Sequence, residues 1–71
     1  MVYGLRSAIH SVFSNESECA RAMNWPRQRL NKITTGNKAP TVQELWELSN
    51  VLGRTVGEIA GFFLPSESTN G

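Results

Sequence analysis

The sequence predicts an all-α fold, a compact bundle of five short helices. Two signals point that way. Apolar residues recur at three- and four-residue spacing from Leu5 onward. Helix starts are marked by Asn or Thr followed three residues later by Glu, at Asn15 and Glu18, Thr41 and Glu44, and Thr55 and Glu58. No stretch alternates with the two-residue period of a strand, and no hairpin dipeptide is present. At 71 residues the chain makes one domain, with a core too small to leave much margin of stability.

The elements follow in order. Residues 1–4 are expected to fray. Leu5, Ala8, Ile9, Val12 and Phe13 then mark the apolar face of a first helix. Ser14-Asn15 interrupts it, and Asn15 is a good N-cap for a second helix that should bury Cys19, Ala20 and Met23. Asn24 tolerates the left-handed conformation that ends a helix without glycine. Trp25 precedes proline and is biased away from helical geometry. Pro26 fits either the cap or the first position of a third helix, where a missing N–H costs nothing. With Pro26 as the cap, Trp25 and Leu30 have the spacing of a hydrophobic staple. The third helix should reach Thr34 or Thr35, and Gly36 should turn the loop that follows. Thr41 and Glu44 open a fourth helix along Leu45, Leu48, Val51 and Leu52, and Gly53 closes it. Thr55 and Glu58 open a short fifth helix with Ile59, Phe62 and Phe63 on its apolar face, stopped at Leu64-Pro65. The domain is thus residues 1–64, and 65–71 is a polar tail expected to be disordered.

Composition narrows the function classes. One cysteine, Cys19, excludes an internal disulfide framework and a cysteine-rich zinc site, and suits a reducing compartment. No run is long and apolar enough for a membrane span, and the N-terminus lacks a signal-peptide pattern, so a cytoplasmic protein is expected. His10 has no second ligand at metal spacing, and Cys19 is best read as a small core residue. No acid, base and nucleophile gather, and no glycine-rich phosphate loop is present, so neither an enzyme nor a cofactor is expected. Net charge is only +1, but five of the seven basic residues lie within 21–38, which holds no acid. Residues 39–71 carry Glu44, Glu47, Glu58 and Glu67 against Arg54 alone. That asymmetry suggests one face for a polyanion.

The stretch Ser17–Gly36 organises the rest. It reads SECARAMN, WP, RQRLNKITTG: two short amphipathic helices joined at Asn24-Trp25-Pro26. The second is too polar for a core and suits a probe laid in the major groove of duplex DNA. With Leu30 facing inward at about 100° per residue, Ile33 and Pro26 share its side and Gln28, Asn31, Lys32 and Thr35 point outward. Arg27 and Arg29 flank them. Gln pairs bidentately with adenine, and Arg or Lys with guanine, each good contact discriminating by about 1–3 kcal/mol. Arg27, near a helix N-terminus, opposes the helix dipole at about 0.3–1 kcal/mol, a broken local rule of the kind that marks functional sites. The bland alternative is a solvated polar face.

These words resemble the helix-turn-helix domain of the lambdoid phage repressor and Cro family, also called the Xre family. The matching words are Glu18-Cys19-Ala20, Ile33-Thr34-Thr35-Gly36, Pro40-Thr41, Glu44-Leu45-Trp46-Glu47-Leu48 and Leu52-Gly53-Arg54-Thr55-Val56-Gly57-Glu58-Ile59. The resemblance covers about Leu5 to Phe63. It implies a lambda repressor-like DNA-binding domain whose third helix docks in the major groove, usually as a dimer. The family's base-reading positions fall on Arg27, Gln28 and Lys32, and the outward face adds Asn31. Arg29, Thr35, Asn37 and Lys38 are the phosphate candidates, with Arg6 and Arg21 weaker ones.

Four departures stand out. The family's arginine in the first helix and glutamate in the third are Ile9 and Thr34 here. Asn24 replaces the turn glycine, and Pro26 replaces the Ser or Thr cap. Glu16 stands where a glutamine or serine often meets a phosphate; a carboxylate suits the helix dipole but repels phosphate.

The expected function is that of a sequence-specific transcriptional regulator, a repressor of phage, mobile-element or restriction–modification type. The competing class is a protein-interaction or antitoxin-like module that does not read DNA. One recognition helix reads few base pairs, so a homodimer on a palindromic operator is expected, one that forms on DNA if not before. Phe62, Phe63 and Leu64 are the interface candidates; alternatively both rings pack back on Leu5 and Ile9. Trp25 is expected in core or turn packing, and Trp46 at a core edge or an interface. No membrane or small-molecule ligand is expected.

Overall fold

The computed structural model describes residues 1–64, so the expectation for the 65–71 tail lies outside the described residues. Five helices follow in order: α1 Tyr3–Val12, α2 Glu16–Met23, α3 Arg27–Thr34, α4 Val42–Leu52 and α5 Val56–Gly61. The chain is all-helical among the described residues, as its periodicity predicts. None of these helices is long and apolar enough to cross a membrane.

Local chemistry sets the boundaries. Asn15 Oδ1 accepts the Glu18 N–H at 2.9 Å and starts α2. Thr41 and Glu44 form a full capping box, with the Glu44 N–H on Thr41 Oγ1 at 3.1 Å and the Thr41 N–H on Glu44 Oε1 at 2.9 Å. Thr55 caps α5 through the Glu58 N–H at 3.0 Å, but here only half of a box forms, because the Glu58 carboxylate turns to Arg54 instead. The α2 start is likewise capped from one side, with Glu18 lying 3.8 Å from Arg21. Asn24 sits at φ 62°, ψ 35° and closes α2 in the left-handed region, as Gly53 at φ 67° closes α4. Pro26 is the cap of α3, so Trp25 and Leu30 occupy the staple positions, and both are buried in the same cluster.

The core gathers one stripe from each helix: Leu5, Ala8 and Ile9; Cys19 and Ala20; Leu30 and Ile33; Leu48 and Leu52; and Ile59. Helix α2 packs on α3, α4 packs on α2 and α5, and α1 braces α2, α3 and α4. Helix α3 thus has its apolar edge enclosed while its other faces stay open.

Several expectations are corrected. Residues 1–4 are not frayed: α1 begins at Tyr3, and the Val2 N–H donates to the Thr34 carbonyl at 2.8 Å, tying the start of the chain to the end of α3. Val12 is exposed rather than on the apolar face, because it ends α1 and the chain turns to extended geometry at Phe13. Met23 and Leu45 are half-buried at the margin of the core. Phe62 lies just beyond α5, and its ring crosses the backbone of Gly4 in α1.

That crossing makes a test. A Cβ on Gly4 would stand 2.6 Å from Phe62 Cδ1, whereas one on Gly57 would meet nothing within 4 Å. Ala is intrinsically better in a helix by about 0.8–1 kcal/mol, but overpacking costs about 1–3 kcal/mol. Gly4→Ala should therefore lower stability and Gly57→Ala leave it unchanged or raised. Denaturant melts check both; equal midpoints would show that the ring yields freely.

Candidate nucleic-acid interface

Helix α3 exposes a continuous polar face. Leu30, Ile33 and Thr34 are buried, while Arg27, Gln28, Asn31 and Lys32 are exposed. The side-chain bonds of α3 belong to Arg29, Thr34 and Thr35 and leave those four unengaged among the described residues. Arg27, Gln28 and Asn31 rim one notch of about 210 Å³. Arg27, Asn31 and Thr35 also form one wall of a groove of about 360 Å³, whose other wall is Arg6, His10, Asn15 and Glu16. Two cations and two amides stand side by side with hydrogen-bonding capacity free, the chemistry that reads base edges.

The other candidates are placed differently. Arg29 Nε donates to Glu44 Oε2 at 3.0 Å, and its guanidinium lies 4.2 Å from the centre of the Trp25 ring. Lys38 Nζ donates to the same Glu44 Oε2 at 3.2 Å. The Lys38 N–H, a candidate phosphate donor, is spent on the Lys32 carbonyl at 3.0 Å. Thr35 Oγ1 donates to the Asn31 carbonyl at 2.8 Å, so its hydroxyl lies along its own helix. Asn37 is exposed beside Gly36, whose φ of 87° turns the loop. Arg21 is exposed on α2.

Glu44, which sequence reasoning used only as a cap, is the centre of this arrangement. Its side chain is 3% exposed and receives the Thr41 N–H, Arg29 and Lys38. Burial pushes its carboxyl pKa up, but the Thr41 N–H, Arg29 and Lys38 outweigh burial and hold it below its ordinary value. One turn on, Glu47 Oε1 accepts the Trp25 indole N–H at 3.1 Å and Glu47 Oε2 accepts from Gln43 at 3.0 Å. Two carboxylates of α4 therefore grip Trp25 and Arg29, on either side of the α3 cap.

At the other end, Glu16 turns inward. The one Thr34 hydroxyl proton is shared between Glu16 Oε1 and the Asn31 carbonyl, both at 3.2 Å, and Glu16 Oε2 lies 3.4 Å from Arg6 Nε, an ion-pair contact without a hydrogen bond. The side chain is 14% exposed. The carboxylate is thus paired with Arg6 and half-buried at the edge of the groove beside α3, rather than standing free as its position in the chain suggests. Ile9 and Thr34, where the family carries its arginine and glutamate, are both buried. The ion pair of this region instead joins α1 to α2, between Arg6 and Glu16. The Cys19 thiol is pushed up to about 11 by burial and by Glu16, so at neutral pH it is protonated and inert. His10 is exposed, and among the described residues no three His, Cys, Asp or Glu side chains gather to hold a metal.

A family model described as helix-turn-helix matches residues 15–59, from the cap of α2 to the buried Ile59 of α5. No curated protein and no solved structure matches the chain.

The Glu44 arrangement has a pH signature. A carboxyl held below its ordinary value of 4.5 in the folded state stabilises the fold above that value. The contribution disappears as pH falls through the lower folded value. Thermal melts from about pH 7 to pH 2 should show a fall in midpoint below 4.5 that is shallower in Glu44→Gln. Parallel profiles for the two proteins would remove Glu44 from the acid transition.

Proposed function

We propose that this chain, which belongs to the helix-turn-helix family of the phage repressor and Cro (Xre) type, represses transcription by reading duplex DNA with α3. The supporting observation is the unengaged set Arg27, Gln28, Asn31 and Lys32 on a helix whose opposite edge is buried. These four face base edges in the major groove, and Asn37 meets a phosphate from the loop. The regulated element is of phage, mobile-element or restriction–modification type, in the cytoplasm.

One recognition helix covers too few base pairs for useful selectivity, so two copies bind a palindromic operator with half-site centres about 10–10.5 base pairs apart or a multiple of that. Phe63 and Leu64 carry the contact between copies, with Phe62 behind them. They border a groove of about 430 Å³ shared with Met1, Val2 and Tyr3 and with Gly36, Lys38 and Ala39 of the loop after α3. Contact there joins the interface to the DNA-facing loop, which suits a dimer completed on DNA.

A second reading has one observation in its favour. Val42 and Trp46, one turn apart on α4, are both exposed apolar side chains. That pair suits a protein-interaction or antitoxin-like module. DNA affinity that falls steeply with salt supports the regulator; a flat, weak response supports the module.

Selection of bound duplexes from a random pool tests the regulator directly, through binding, sequence and half-site spacing. On the selected site, Gln28→Ala and Lys32→Ala should each relax preference at one base pair and cost about 1–3 kcal/mol. Wild-type affinity and preference in both variants would remove α3 as the reading helix.

Sedimentation of the complex measures stoichiometry, and two protein copies per duplex are expected. Leu64→Ser is the cleanest probe, since Leu64 is exposed and Phe62 is tied to Gly4. It should weaken assembly without moving the melting midpoint. One copy per duplex, with no effect of Leu64→Ser, rules out this interface.

A further inference from the structure

Four cations stand on α3 and the loop after it: Arg27, Arg29, Lys32 and Lys38. The structure divides them into two pairs. Arg27 and Lys32 have no ion-pair partner among the described residues. Arg29 and Lys38 share one carboxylate oxygen, Glu44 Oε2, at 3.0 and 3.2 Å. Arg29 is also stacked on Trp25, and Trp25 is held in turn by Glu47. A surface ion pair would let go of its cation readily. This one is harder to open, because the carboxylate is 3% exposed and its other oxygen caps α4. Removing either cation leaves a buried charge short of a partner.

The division matters for selectivity. A cation free to meet phosphate binds every DNA sequence alike, since the backbone carries no sequence information. Each such contact raises the competition from non-specific sites as much as it raises affinity for the operator. We propose that Glu44 sets the balance between sequence-selective and sequence-independent binding, by tethering Arg29 and Lys38 to the scaffold and withholding them from phosphates. This rests on the DNA-binding reading above. Glu44 touches no DNA; it acts as a positioning residue through the two cations. With it, the trio Arg29, Lys38 and Glu44 presents one net positive charge; without it, two. The loop sequence Asn37-Lys38 and the helix position of Arg29 suggest phosphate ligands, and the carboxylate reassigns both.

The test compares the slope of log affinity against log salt for the full chain on a selected duplex and on a scrambled duplex of equal length. Glu44→Gln keeps the shape of the side chain and an acceptor for the Thr41 N–H but removes the charge. Its slope should steepen on both duplexes by about 0.9 for each freed cation that reaches a phosphate. Binding to the scrambled duplex should tighten more than binding to the selected one, so the ratio of the two affinities falls several-fold. Glu44→Asp, which keeps the charge on a shorter arm, should hold the wild-type slope even where its stability differs. Lys38→Gln, with Glu44 intact, should leave the slope unchanged. A merely stabilising role for Glu44 moves the melting midpoint and not the slope. An unchanged or shallower slope in folded Glu44→Gln overturns the proposal. So does a loss of about 0.9 in Lys38→Gln, which places Lys38 on a phosphate in the wild type and decides the matter even where Glu44→Gln does not fold. A wild type that binds neither duplex in a salt-dependent way defeats the DNA-binding reading itself, and this proposal with it.

Discussion

A carboxylate taken out of water must be met by donors, and Glu44 is met by three that come from three different parts of the chain. The Thr41 N–H starts α4, Arg29 belongs to α3, and Lys38 belongs to the loop between them. A single side chain therefore fixes where α4 begins, how α3 leans on it and how the loop crosses from one to the other. The same contact explains why a small core suffices. Helix α3 offers the core only Leu30, Ile33 and Thr34, too little apolar surface to hold eight residues in place unaided. Polar fasteners at its two ends supply the rest.

Those fasteners are paired across the helix. At the start, Trp25 and Arg29 are held by Glu47 and Glu44. At the end, Thr34 uses its hydroxyl on Glu16 and its carbonyl on the Val2 N–H. The side chains used are those at the edges of the helix. Arg27, Gln28, Asn31 and Lys32, in the middle of the outward face, are left free. A helix clamped at both ends rolls about its own axis only by breaking these part-buried bonds, so its free face keeps one direction. That is the pre-organisation a reading surface needs.

The sequence shows the frame well because the signals are local. Apolar spacing marks five helices, and Asn15, Thr41 and Thr55 start three of them as expected. Asn24, Gly36 and Gly53 take the positive φ expected at turns and helix ends. The outward face of α3 follows from the period alone. What stays hidden is every contact that joins distant residues. Glu44 is fully explained as a cap by its neighbours, so nothing nearby announces Arg29, fifteen residues back. Glu16 looks like an exposed carboxylate until Arg6 and Thr34 arrive from two other helices. Residues 1–4 look loose because the bond that ties the start of the chain down, from the Val2 N–H, goes to Thr34, far along the chain. Trp46, legible only as edge or interface, is exposed.

The Arg6–Glu16 pair shows how such a frame accommodates a carboxylate at the start of α2. Ile9 and Thr34, where the family resemblance implies an arginine and a glutamate, are both buried and put a methyl-rich chain and a hydroxyl there. A lone buried charge at either place would be costly, so losing both together is the permissible substitution. The link between α1, α2 and α3 is made at the rim, where both side chains keep part of their surface wet, but the Arg6 Nε that faces Glu16 is itself buried and makes no hydrogen bond among the described residues. Thr34 joins it through its hydroxyl. The same link engages the Glu16 carboxylate at the start of α2 and leaves Glu18 as the exposed acid of that turn. Glu16 is therefore compatible with a DNA-facing surface, because Arg6 and Thr34 meet its charge from within the protein.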